Sequence, residues 1–228
     1  MGMAFKVLLF DLDGTLLDFR QTEETGLSHV FTQFQIPDPV ACRKYYQQLN
    51  TQLWKGFEQG QYPKEYIFTQ RFPMLLAHFH LQRDGKAMER SYRSWLDQGC
   101  DLMKDALAVV SQLACSYELH IITNGYASTQ HHRLAKSGLR PYFDHVFVSE
   151  EIGWQKPQRA YFEHVLNHLD QPKESILVIG DSLIADIGGA KQAGLAACWI
   201  HAPGISNDTG IQSDFEITEL KELWNILS

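Results

Sequence analysis

The chain has 228 residues, is 44% hydrophobic and carries a formal net charge of −7 at pH 7. The length suits one domain with a smaller one inserted, since single domains run to ~100–200 residues, and the apolar content excludes extensive disorder. Net negative charge disfavours a protein that wraps a nucleic-acid backbone, which needs clustered Lys and Arg.

A small anion remains compatible, because a few cations and backbone N–H groups suffice to hold one phosphate. Cys42, Cys100, Cys115 and Cys198 are widely spaced with no C-x-x-C, so reduced thiols are expected rather than a secreted disulfide framework. No apolar run reaches the ~18 residues of a membrane span. The run Val7-Leu8-Leu9-Phe10 meets Asp11 too soon for a signal peptide. A soluble, cytoplasmic protein without membrane association is expected.

In chain order, Phe5 to Phe10 reads as a buried strand stopped by Asp11-Leu12-Asp13-Gly14. From about residue 18 to about residue 96 no strand pattern occurs. That stretch carries aromatic-rich helical periodicity instead, as in Leu49-Leu53-Trp54-Phe57 and Phe72-Leu75-Leu76-Phe79. Pro37, Pro39, Pro63 and Pro73 are expected between its helices or at their starts. Four further strands are predicted at Leu119–Thr123, His145–Val148, Ser175–Ile179 and Ala196–Ile200, alternating with helical patterns. Such alternation predicts an α/β fold with a doubly wound parallel sheet. The predicted division is a core of residues 1–17 and 97–228, with an all-helical insert over residues 18–96.

Ligands bind at the carboxyl ends of strands in such sheets. Asp11 and Asp13 follow the first strand, Thr123, Asn124 and Gly125 the second, and Gly180, Asp181, Ser182 and Asp186 the fourth. Lys156 follows the third, in Gly153-Trp154-Gln155-Lys156-Pro157. Carboxylates crowded on one rim repel steeply unless a cation joins them. With oxygen donors and no convergent His or Cys, that cation is expected to be Mg²⁺. The turn at Gly14 can aim backbone N–H groups at a phosphate, Thr123 offers a hydroxyl and Lys156 a point charge. Phosphoryl transfer requires little beyond such positioning and charge neutralisation.

Four motifs, Phe10-Asp11-Leu12-Asp13-Gly14-Thr15, Ile122-Thr123-Asn124-Gly125, Lys156-Pro157 and Gly180-Asp181-Ser182-x-x-x-Asp186, stand in this order. In them the chain resembles the haloacid dehalogenase (HAD) superfamily of phosphohydrolases over nearly its whole length. The resemblance implies a Rossmann-like core with a helical cap, and Asp11 as nucleophile and metal ligand. It implies Asp13 as general acid/base with its carbonyl on the metal, and Asp181 as a Mg²⁺ ligand. Asp186 would ligate the metal or orient Lys156, while Thr123, Asn124 and Lys156 would hold the phosphate.

Within the superfamily the chain is similar to bacterial pyrimidine 5′-nucleotidases. The similarity rests on Asp18-Phe19, Leu53-Trp54-Lys55-x-Phe57-Glu58-x-Gly60, Arg71-Phe72, Gly138-Leu139-x-x-Tyr142-Phe143 and Ser149-Glu150. It implies a small phosphorylated metabolite, a nucleotide, as the partner of a monomer or homodimer, with Trp54 and Arg71 as substrate candidates in the cap. A sugar-phosphate phosphatase or phosphosugar mutase would share the catalytic residues. A non-catalytic phosphate-binding regulator would not need both Asp11 and Asp13. The pair His164 and His168 has zinc-like spacing but no third ligand, and the aromatics Tyr45, Tyr46 and Phe57 read as bundle core.

Overall fold

The computed structural model describes residues 5–227; residues 1–4 and 228, which the predicted core range includes, lie outside the described part. Among the described residues six strands form one parallel sheet in the order β3-β2-β1-β4-β5-β6. They are β1 (Val7–Phe10), β2 (Glu118–Thr123), β3 (His145–Val148), β4 (Ile176–Gly180), β5 (Ala196–Ile200) and β6 (Phe215–Ile217). Every residue of β1 is buried, as expected of a central parallel strand covered on both faces. Its side chains alternate: Leu8 and Phe10 join one core cluster, Val7 and Leu9 another.

The helices divide accordingly between the faces. The first cluster takes in α5 (Ala106–Leu113), α6 (Ala127–Lys136) and, at the end of the chain, α10 (Leu223–Leu227) through Val109, Leu134 and Leu223. The second takes in α8 (Arg159–Leu166) and α9 (Gly189–Ala193) through Phe162 and Ala190. The four-residue α7 (Ser149–Ile152) follows β3 directly. This is a doubly wound sheet, and its topological switch lies at β1, which pairs with β2 on one side and β4 on the other.

Between β1 and β2 come α1 (Phe19–Gln33), α2 (Pro39–Glu58), α3 (Lys64–His78) and α4 (Gly85–Leu96). The chain splits into two compact units at Phe19/Arg20 and again at Gly99/Cys100, and the inserted one is all helical. Asp38 caps α2 by accepting from the Ala41 N–H at 3.0 Å, with Pro39 at the first helical position. Asp84 does the same for α4, accepting from the N–H groups of Lys86 and Ala87. Pro63 stands immediately before α3.

Pro73 departs from expectation by lying inside α3, where it removes one intrahelical N–H donor. The residues around it explain why the helix continues, since Phe72, Leu75 and Leu76 are buried. Apolar burial of this face outweighs the lost hydrogen bond. No helix of the described residues is long and apolar enough to cross a membrane.

Candidate active site

Asp11 continues β1 by donating its backbone N–H to the Ile179 carbonyl at 2.9 Å, so its side chain leaves the sheet at the switch point. The residue is 7% exposed. Lys156 Nζ donates to Asp11 Oδ1 at 2.7 Å, to Asp186 Oδ1 at 2.6 Å and to the Ile122 carbonyl at 2.9 Å. These contacts use all three donors of the ammonium. Burial opposes the charge of Lys156, but Asp11 and Asp186 hold its pKa above the usual lysine range. Burial pushes the Asp11 carboxyl up to about 7, against the lowering pull of Lys156.

The loop carrying Lys156 is fastened to the end of β2 by Asn124. Its amide Nδ2 donates to the Lys156 carbonyl, and its Oδ1 accepts from the Lys156 N–H, each at 2.9 Å. The Asn124 side chain therefore places Lys156. Asp186 is likewise anchored, accepting from the Ser182 N–H at 3.1 Å through Oδ2. Ser182 itself caps the π-helical turn Leu183–Gly188 by accepting from the Ala185 N–H. Asp181 is exposed, with its backbone carbonyl held by the Trp199 indole N–H at 2.9 Å. Gly14 has φ of +86°, and a Cβ there would strike the Asp181 carboxylate. The turn after β1 thus approaches Asp181 as only glycine permits.

Asp11, Asp181 and Asp186 each offer a carboxylate oxygen within 4.8 Å of the others. One atom of this group is an orphan: Asp11 Oδ2 is buried and has no hydrogen-bond partner. A buried anionic oxygen without a donor is costly, and a cation held by these oxygens removes the cost. The donor set is oxygen alone, which fits a hard cation such as Mg²⁺. The Asp13 side chain lies apart from this group. Arg133 Nη1 donates to its Oδ1 at 2.6 Å and Gln130 Nε2 to its Oδ2 at 2.8 Å.

Gln130 and Arg133 were not foreseen from sequence. Their three-residue spacing on α6 shows a shared face, but nothing in the residue types points to Asp13. Trp54 and Arg71 both lie in the helical unit. Trp54 meets Phe57 and Phe68 edge to face. Arg71 is 2% exposed and binds both oxygens of Glu89 at 2.7 Å, with its guanidinium over the rings of Phe68 and Tyr92.

A doubly wound core with clustered carboxylates and a buried lysine at its switch point defines an enzyme site. Residues 8–200 match the family model described as haloacid dehalogenase-like hydrolase, and the chain belongs to that family. It is 39% identical to the HAD-hydrolase YfnB of Bacillus subtilis, over 98% of this chain and 96% of that protein. A crystal structure of YfnB bound to magnesium superposes with a TM-score of 0.93, covering 98% of this chain and 99% of that one. Pyrimidine 5′-nucleotidase PynA of Streptococcus pneumoniae is 36% identical over 99% of this chain and 96% of its own length. Pyrimidine 5′-nucleotidase YjjG of Escherichia coli is 30% identical, over 99% of each.

Proposed function

We propose that this hydrolase is a Mg²⁺-dependent phosphomonoesterase that works through an aspartyl-phosphate on Asp11, with pyrimidine nucleoside 5′-monophosphates as substrates. The observation that carries the reading is Asp11 itself. One of its oxygens is fixed by Lys156 while the other is buried without a partner, beside Asp181 and Asp186. That is the arrangement expected of a nucleophile with a cation at hand.

In this reading Asp11, Asp181 and Asp186 hold the metal together with the Asp13 carbonyl. Bound there, it neutralises charge on the phosphoryl oxygens and keeps Asp11 ionised despite burial. Asp11 attacks phosphorus, the bond to the ester oxygen breaks, and the electron pair stays with that oxygen. Asp13 supplies its proton. Water then attacks the phosphorus of the acyl phosphate and returns a proton to Asp13, and Asp11 departs as carboxylate. The Thr123 hydroxyl and the Asn124 N–H hold the phosphoryl oxygens. Lys156 acts by charge and by fixing Asp11. The core unit is assigned the chemistry, and the helical unit the role of a cap.

The nucleotide assignment draws support from two relatives, PynA and YjjG, whose names state that activity. The test is phosphate release from a panel of nucleotides and sugar phosphates. Deoxy and ribo pyrimidine monophosphates should lead, EDTA should abolish turnover, and Asp11→Asn should leave only background. Full activity in excess EDTA would contradict the metal assignment. A panel led by a hexose phosphate would overturn the substrate assignment and leave the chemistry standing.

A further inference from the structure

Gln130 and Arg133 are each 1% exposed and sit one turn apart on α6. A carboxylate only accepts, so the Gln130 atom facing Asp13 must be the amide nitrogen, and the orientation of the amide is fixed by chemistry. Its other N–H faces Thr123 Oγ1 at 2.7 Å. Thr123 Oγ1 also accepts from the Gly125 N–H at 3.2 Å. A hydroxyl has two acceptor positions and one hydrogen. With both positions taken, the Thr123 hydrogen is left to point to a third partner. Arg133 closes the set, its Nη1 donating to Asp13 Oδ1 and, at 3.3 Å, to Gln130 Oε1. Residue 125 makes room for this arrangement, since a Cβ there would collide with the Gln130 amide.

We propose that Gln130 and Arg133 are positioning residues that set two groups of the reaction at once. They hold the Asp13 carboxylate in one orientation, and they force the Thr123 hydroxyl to donate to the phosphoryl oxygen. The proposal rests on the phosphatase reading above. Two of the roughly four lone-pair sites of the Asp13 carboxylate are occupied by these donors, so the others remain for proton transfer without the clamp opening. An Arg133–Asp13 pair that served stability alone would not skew the loss of rate between good and poor leaving groups.

Leaving-group dependence separates the two roles. p-Nitrophenolate leaves with little help from an acid, whereas the 5′-oxygen of a nucleoside needs its proton. The experiment uses the full chain with Mg²⁺ and compares wild type, Gln130→Met and Arg133→Lys. It measures kcat/KM for p-nitrophenyl phosphate and for a nucleoside monophosphate, and inhibition by inorganic phosphate. Gln130→Met should lower kcat/KM for the nucleotide about 10–100-fold more than for p-nitrophenyl phosphate, within the range of general acid catalysis. Its inhibition constant for phosphate should rise about tenfold, as Thr123 is freed to turn away. Arg133→Lys keeps one donor for Asp13 and should show the same skew, several-fold smaller. If Gln130→Met does not fold, the Arg133→Lys skew decides. Equal losses on both substrates with unchanged phosphate inhibition would overturn the proposal alone. A wild-type enzyme without Asp11-dependent phosphate release would remove the phosphatase reading and this proposal with it.

Discussion

His120 lies on β2, 2% exposed, with Nδ1 accepting from the His145 N–H at 3.2 Å and Nε2 buried without a partner. Burial is the main cause that lowers its pKa to about 4; nearby Asp144 opposes the shift and His145 adds to it. Protonation would also set a second donor against the His145 N–H. The unfolded chain takes up this proton near pH 6.5, so the contribution to stability is present above pH 6.5 and is lost as pH falls towards 4. Urea midpoints at pH 7 and pH 5 should therefore fall more for wild type than for His120→Asn, which keeps an acceptor and cannot be protonated. Equal falls would contradict the assignment. At this scale the sequence points to Asp11, Thr123 and Asp181 because they stand at or next to strand ends, and to Lys156 and Asp186 because they lie in the connections that follow β3 and β4. Gln130 and Arg133 stay hidden, since their partner is 117 to 120 positions distant along the chain and is chosen by how α6 packs.

Among the elements, α3 and α4 are tied by the bidentate pair of Arg71 with Glu89. Glu89 is 7% exposed, so removing the guanidinium leaves a buried carboxylate without its strongest partner. Arg71→Ala should destabilise the helical unit by about 3–5 kcal/mol, read from urea denaturation. Arg71→Ala combined with Glu89→Ala should cost less than the sum of the single changes. A loss below ~1 kcal/mol for Arg71→Ala would show the pair to be dispensable. Arg71 is 2% exposed and spends Nε and Nη2 on Glu89, so the contacts it makes here hold the helical unit together.

Aromatic periodicity made the helices of the insert legible, but it could not show which polar side chains their faces bury. In the core, β6 was invisible for another reason. Its three residues, Phe215-Glu216-Ile217, are too few for a period to register. Their place is set from outside: Asp214 accepts from the Ala197 N–H and from Lys191, which brings the segment beside β5.

For the whole molecule, the alternation of strands and helices was enough to foresee the sheet, and the strand order explains why the motifs meet. β1 lies between β2 and β4, so the loops after three neighbouring strands bring Asp11, Thr123 and Asp181 to one edge. Lys156 reaches the same point from the loop beyond β3, through Asn124. This convergence is the basis for assigning a covalent mechanism to Asp11.

The most direct test is acid quenching of Asp13→Asn during its first turnover on p-nitrophenyl phosphate, followed by peptide mass spectrometry. The variant keeps the nucleophile, and this leaving group needs little protonation, but the water that must clear the intermediate has lost its base. A burst of about one p-nitrophenol per site should precede a steady rate slowed ~10²–10⁴-fold, with phosphate found on Asp11. Phosphate on any other residue, or a Asp13→Asn enzyme that turns over at the wild-type rate, would contradict the account.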